Sequence, residues 1–320
     1  MASATSGVAG SASTSRRAAF GSLVLANVLW AGTYAVGKIA LAEIPPIELN
    51  AMRFILASLL LVPVLIHYRK QIPRDGRTLL LLLQLTLLGF VLNKAAEYVG
   101  LALSTASDVA LLIATESIFT GMLSWLFLRE RVTRTGVMAL AIGLLGVYLI
   151  VERGLIPNLG SGNDSRILGD VLVVVSLLLE AGYTVRGKTT LTTLPPLLFT
   201  ALTITGSLFF WVPAGALAVL HDGLPHVSLG GWLSVFYLAA ITTVVSYWLW
   251  FRGLSVLDAS LAAPILFIQP LLGAALAIVI LHDALTLATI AGATCIVASL
   301  LLVVRSGRRE ASHTLDESVP

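Results

Sequence analysis

The sequence predicts an all-α integral membrane protein, ten transmembrane helices arranged as two inverted five-helix repeats. Three observations predict it. The chain is 57% hydrophobic and only 12% charged, with mean hydropathy +0.94, where soluble domains carry roughly 25% charged residues. The apolar residues run continuously over lengths that cross a bilayer, which takes about 20 residues in helical form. Two of these runs also spell nearly the same thing. AGTYAVGK (Ala31 to Lys38) is followed by Pro45-Pro46, and AGYTVRGK (Ala181 to Lys188) by Pro195-Pro196, both at an offset of 150 residues.

The ten spans fall at about 19–41, 46–67, 78–101, 105–128, 133–151, 168–189, 196–220, 229–252, 258–281 and 285–304. Before the first, residues 1–18 are small and polar and close on Arg16-Arg17. The apolar run that follows reaches Leu41, too long for the h-region of a signal peptide, and reads as a retained span. The first repeat is 19–151, the second 168–304; the stretch 152–167, rich in Gly, Asn and Ser, is the linker, and 305–320 is a polar tail. Head and tail have the composition of disordered segments. Strands are excluded because the runs do not alternate. The fifth and tenth spans are nearly uncharged and carry small residues four apart, Ala139/Gly143 and Ala291/Cys295/Ser299. That spacing lets helices approach closely, so these spans read as scaffold and offer a surface for a homodimer.

Orientation follows from Lys and Arg placement. With the N-terminus in the cytoplasm, fifteen basic residues lie inside and five lie outside or within the membrane. Ten spans return the C-terminus to the cytoplasm. Each repeat has five, so the second enters the bilayer from the opposite side and the halves are related by a pseudo-twofold axis in the membrane plane. A second register, at an offset of 153, pairs Gly100-Leu101 with Gly253-Leu254, Ala106-Ser107 with Ala259-Ser260, Glu130 with Asp283 and Thr133 with Thr286. Membrane proteins built of such inverted repeats are most often transporters, with the substrate near the midplane.

Composition also excludes chemistry. The single Cys295 rules out a disulfide framework and a cysteine zinc site. The five histidines sit at span ends, in loops or in the tail. No HExxH, GxSxG or phosphate loop occurs, so the chain reads as no enzyme, without metal or cofactor and without a nucleic-acid partner. A receptor would need an output domain, for which the short connections leave no room. A channel-like facilitator stays as the alternative to a carrier.

Several segments resemble the EamA-type, ten-helix branch of the drug/metabolite transporter superfamily. They are SDVALLIATESIFTGMLSWLFLRERVTRTG in spans four and five, ASLAAPILFIQPLLGAALAIVILHDALTLATIAG in spans nine and ten, and Ala51-Met52-Arg53-Phe54 in span two. Ser117 stands where many members carry proline, which implies a straighter fourth helix, and Asp283 stands where a Glu is usual. The resemblance implies a secondary carrier, an exporter of amino acids or other small metabolites, with its cavity between the halves.

Ionisable residues near the bilayer centre are expensive and point to function. Counting about 1.5 Å per residue, Glu116 lies roughly 16 Å and Glu180 roughly 18 Å into their helices, and their repeat mates are Gln269 and Trp30. Burial favours the neutral form of a carboxylate, so either could exchange a proton as the carrier alternates, or hold a substrate ammonium; each could instead be a hydrogen-bonded packing group. Lys94 and Glu97, three apart, share a helix face and can pair, with Asn93 extending the stripe; they are either an interfacial pair or the outer part of a charged cavity. Their second-repeat mates are Ser246, Tyr247 and Trp250. Trp30, Tyr34 and Tyr183 lie beside the repeated Ala-Gly and could stack on a substrate or close a gate. Lys38 and Lys188 read as snorkelling helix ends. Arg53 is expected to bond helix-end carbonyls or an acidic partner, and Asp108 and Asp258 to start helices. The substrate site is thus expected among Glu180, Glu116, Trp30, Tyr34, Asn93, Glu97, Tyr183, Tyr247 and Gln269. Mixed charges there fit a zwitterion, with protons as the coupling ion and the cell (inner) membrane as the location.

Overall fold

The computed structural model describes residues 3–104, 106–130, 133–152, 164–281 and 287–316, and no strand occurs among them. Ten helical rods result. The first repeat holds α1 (3–41, interrupted at 31–32), α2 (Pro46–His67), α3 (Gly76–Leu103), α4 (106–128) and α5 (Arg134–Glu152). The second holds α6 (Asp164–Thr190), α7 (Pro196–Asp222), α8 (Leu229–Leu254), α9 (259–281) and α10 (Leu287–Asp316). Six of the described helices are long and apolar enough to cross a membrane outright, and α4, α5, α9 and α10 contribute shorter apolar helices. The linker at 153–163, the corner at 282–286 with His282 and Asp283, and residues 317–320 lie outside the described residues, as does the side chain of Asp108. The head and tail, expected as disorder, continue their neighbours instead: helix runs back to Ser3 and on to Asp316. Extending an existing helix adds one hydrogen bond per residue without a new nucleus.

The same local chemistry builds both halves. Pro45-Pro46 opens α2 and Pro195-Pro196 opens α7, where a missing N–H is harmless. Pro63 and Pro213, again 150 apart, sit inside these two helices and remove one ladder bond from each. Asp75 caps α3 by accepting the Thr78 N–H at 2.8 Å, and its mate Ser228 caps α8 by accepting the Gly231 N–H at 3.2 Å. Both α3 and α8 then carry a π-helical stretch, Leu87–Leu92 and Tyr237–Val245. In α4 the helix runs unbroken through Ser117 to Leu123, and a π-helical turn follows at Ser124–Leu128.

Packing repeats as well. A Cβ on Gly100 of α3 would lie 2.7 Å from the Gly169 carbonyl of α6, and one on the mate Gly253 of α8 would lie 3.0 Å from the Ala19 carbonyl of α1. Backbones in contact at both places set the α3–α6 and α1–α8 crossings. Between the repeats α2 packs on α7, where Phe54 and Trp211 stack at 5.8 Å and Trp211 Nε1 donates to the Phe90 carbonyl at 2.7 Å. The helices α5 and α10 pair to one side, with Ser299 Oγ donating to the Ala139 carbonyl at 2.6 Å. Ala139 of the α5 stripe and Ser299 of the α10 stripe thus meet within one chain, while Ala291 at the start of the α10 stripe is exposed.

Large apolar side chains such as Leu59, Phe209, Leu217 and Leu220 point outward, while Arg53, Asn93, Lys94, Glu97, Glu116 and Glu180 are buried. Polar inside and apolar outside is the distribution that a bilayer solvent requires.

Candidate functional site

Between the two repeats lies a cavity with about 40 Å³ for water-sized occupants, room for a few waters. The first repeat lines it with Trp30, Thr33, Tyr34, Arg53, Asn93, Lys94, Glu97 and Glu116, the second with Leu177, Glu180, Tyr247 and Gln269. Local helix irregularities aim these side chains. The π-stretch of α3 ends immediately before Asn93, and that of α8 ends immediately before Ser246-Tyr247. An extra residue per turn rotates the following face, so both repeats present mated positions to the same space. In α9 a 3₁₀ segment, Ala263–Phe267, precedes Gln269.

Lys94 is the centre of the charge pattern. Its Nζ lies 2.5 Å from Glu97 Oε2 and 3.3 Å from Glu180 Oε2, and 5.7 Å from the Tyr247 ring centroid. Glu180 Oε2 also accepts from Asn93 Nδ2 at 2.8 Å and from the Tyr247 hydroxyl at 2.9 Å. Asn93 Nδ2 reaches the Ser176 carbonyl at 2.9 Å as well. The pair expected on α3 thus forms. It is a buried bridge to the other repeat, and its lysine serves two carboxylates, which is how buried charge is tolerated.

Two charges on the cavity wall lack such compensation. Glu116 has neither hydrogen bond nor ion pair among the described residues, though it is 7% exposed. Arg53, 1% exposed, meets neither helix-end carbonyls nor an acid. Its Nε donates to Thr243 Oγ1 at 2.6 Å, one terminal nitrogen to the Tyr98 hydroxyl at 2.7 Å and the other to Thr242 Oγ1 at 3.4 Å, while the guanidinium lies over the Phe54 and Tyr98 rings.

The remaining expected residues divide. Trp30 donates to the Thr242 carbonyl at 2.9 Å and meets Tyr247 edge-on at 5.1 Å. Gln269 donates to Asn27 Oδ1 at 2.9 Å, and Tyr34 lines the wall. Tyr183 does not line it. Its ring lies among Phe90, Phe199, Phe251 and Tyr247, and its hydroxyl is 3.1 Å from Thr203 Oγ1. Sequence reasoning also missed Thr33, Leu177 and Asn27. The signal was present: Asn27 is a lone amide in mid-span, and its mate at +150 is Leu177.

The helix-end lysines do not snorkel. Lys38 Nζ donates to the Ser104 carbonyl at 2.9 Å, and the Ser104 hydroxyl donates to Asp170. Lys188 Nζ lies 2.7 Å from Glu130 Oε1 and 3.2 Å from Asp258 Oδ1. Asp258 precedes α9 without capping it; Glu130, in the corner after α4, does so instead, accepting the N–H of Ala259 at 3.1 Å and of Ser260 at 2.8 Å. Outside the spans, Glu43 accepts from the Ser228 hydroxyl at 2.7 Å and from its N–H at 2.8 Å, which holds its carboxyl below the usual range.

The sequence pattern of the EamA-like transporter family fits residues 18–152 and, a second time, residues 167–305. The chain belongs to the EamA-like transporter family. It is accordingly a multi-pass membrane transporter. An uncharacterized transporter of Archaeoglobus fulgidus is 28% identical over 82% of this chain and 88% of its own length. A protein of Salmonella typhimurium named a probable amino-acid metabolite efflux pump is 26% identical, covering 88% and 93%, and one of the same name from Escherichia coli is also 26% identical over the same shares. A solved crystal structure superposes with TM-score 0.74 over 93% of this chain and 98% of that one. At 16% identity it speaks for the fold alone, which is that of this EamA transporter over nearly its whole length.

Proposed function

We propose that this transporter is a secondary carrier of the cell membrane, with both termini cytoplasmic, that exports small metabolites such as amino acids by alternating access around the central cavity. The observation that carries the reading is the buried cluster of Lys94, Glu97, Glu116 and Glu180 on the cavity wall, which joins the two repeats at the depth where such folds bind substrate. The relatives named probable amino-acid metabolite efflux pumps support the substrate class. A carrier must close on each side in turn, and both sides of the cavity carry closing contacts. Towards the end of α1, Tyr237 donates to the Leu29 carbonyl at 2.7 Å and Glu43 binds Ser228. Towards the end of α6, the rings of Tyr183, Phe90, Phe199 and Phe251 pack together. These contacts favour a carrier over a channel. Protons are the coupling ion in this reading, with Glu116 and Glu180 as the exchanging carboxylates.

The test is efflux of a substrate panel from a host lacking its own exporters, with and without a collapsed proton gradient. The reading expects gradient-dependent export that Glu180→Gln and Glu116→Gln abolish or render pH-independent. Full activity and an unchanged pH profile in both variants overturn the site.

A further inference from the structure

We propose that Arg53 and Glu116 hold the two opposite charges of a zwitterionic substrate, Arg53 its carboxylate and Glu116 its ammonium. The assignment rests on the central cavity being the substrate site. Five acidic or basic side chains line that cavity, and three of them are committed to one another: Lys94 bridges Glu97 and Glu180 at 2.5 and 3.3 Å. The other two are one cation and one anion, and among the described residues neither has an ion-pair partner.

Arg53 is bound only by neutral hydroxyls. These satisfy three of its five N–H donors and none of its charge. A carboxylate is the group whose geometry suits a guanidinium fork. Glu116 accepts no hydrogen bond from any of the described residues. Two further buried atoms on the same wall have no hydrogen-bond partner: Thr33 Oγ1, a donor suited to a carboxylate, and Asn93 Oδ1, an acceptor suited to an ammonium. The amide nitrogen of Asn93 is already committed to Glu180 and Ser176.

The depths also differ in the right sense. The helices α2 and α4 start on the same face, Arg53 seven residues past Pro46 and Glu116 ten past Ala106. The two charges are therefore offset by roughly 5 Å along the helix direction, which suits a small molecule with its charges on neighbouring atoms. A zwitterion matches both lone charges at once. A simple amine leaves Arg53 unmatched and a simple acid leaves Glu116 unmatched, and an unmatched buried charge weakens binding by roughly 10- to 100-fold per charge-assisted contact.

The experiment uses the full chain purified and reconstituted in proteoliposomes. Transport is compared for three panels, the neutral α-amino acids, the same compounds as amides and the same compounds N-acetylated. Wild type is expected to move the amino acids and to handle both derivatives about 10-fold or more worse. Arg53→Gln should lower the amino acids by roughly 10- to 100-fold while leaving the amides within about twofold. Glu116→Gln, assayed as substrate counterflow without a proton gradient so that its coupling role is not read, should do the same to the amino acids while sparing the N-acetyl compounds. Because Arg53 also braces α8, Arg53→Lys provides the check on folding and should recover part of the amino-acid transport. If both Gln variants lower all three panels by a common factor, or if Arg53→Lys is as impaired as Arg53→Gln on every panel, the assignment is overturned while the transport reading stands. If wild type moves none of the panels, the amino-acid reading falls and the assignment with it.

Discussion

Lys94 and Tyr247 are repeat mates, 153 residues apart, and both reach the same atom, Oε2 of Glu180, at 3.3 and 2.9 Å. Duplication supplied one position twice, and divergence gave it a cation in one half and a neutral donor in the other. The carboxylate they share sits where the first repeat has Trp30, whose ring in turn meets Tyr247 at 5.1 Å. Positions where the repeats differ thus converge on one cluster.

Removing the cation alone should be more harmful than removing the pair. Lys94→Met leaves Glu97 and Glu180 buried without a counter-charge, which is expected to destabilise the protein by about 3–5 kcal/mol. The double variant Lys94→Met/Glu97→Gln removes one of the two carboxylates as well and should recover roughly 1–3 kcal/mol of that loss. Thermal unfolding in detergent measures both. Strict additivity of Lys94→Met and Glu97→Gln would mean that the 2.5 Å contact carries no coupling.

Gly89 exists as glycine because Tyr183 occupies the space its side chain would need. A Cβ there would lie 2.5 Å from Tyr183 Cγ, inside van der Waals contact with a ring already enclosed by Phe90, Phe199 and Phe251. Gly89→Ala should therefore destabilise by about 1–3 kcal/mol and lower transport, and Tyr183→Ser in the same chain should restore part of the stability. If Gly89→Ala is neutral in both measurements, the aromatic cluster is looser than described.

The spans, the duplication and the buried carboxylates were legible because each leaves a one-dimensional trace. Apolar runs have a length, repeats have an offset, and Glu116 or Glu180 stands out in any hydrophobic stretch. Partners across the repeat left no such trace. Arg53 meets Thr242 and Thr243, some 190 residues away, and that contact depends on the π-stretch of α8, which no residue type announces. Lys188 read as a snorkelling end because its acids, Glu130 and Asp258, lie in corners whose approach is set by how α4, α6 and α9 cross. Tyr183 read as a wall residue because it stands beside the repeated Ala-Gly; the crossing of α6 against Gly89 of α3 carries it into the aromatic cluster.

The contact between α5 and α10 should tolerate no added side chain. A Cβ on Gly146 would lie 2.7 Å from the Gly292 carbonyl, a backbone atom that cannot rotate away. Gly146→Val is expected to destabilise by about 1–3 kcal/mol or more. At Gly182, where nothing lies within 4 Å of the added carbon, Gly182→Ala should be neutral or stabilising by a few tenths of a kcal/mol. Equal unfolding temperatures for Gly146→Val and wild type would contradict the close approach.

Glu130 should give the protein an acid limb of defined sign. Burial works to raise its carboxyl, but the bonds from Lys188 and the Ser260 N–H, the Lys188 charge and the Ala259 N–H outweigh it and hold the group below the usual carboxylate range. A folded-state value below the unfolded one, about 4.3, means that folding is stabilised above the unfolded value and that the contribution is lost as pH falls through the folded one. Glu130→Gln is expected to be less stable than wild type by about 1–3 kcal/mol near pH 7, since Lys188 then lacks its nearer partner and the start of α9 its strongest acceptor. As the pH is lowered from about 6 to about 3, wild type should lose stability faster than the variant, so that the difference between their unfolding temperatures narrows. A gap that stays constant over that range would show that the Glu130 carboxyl is not held ionised by Lys188 and the helix start, and that its role there is steric.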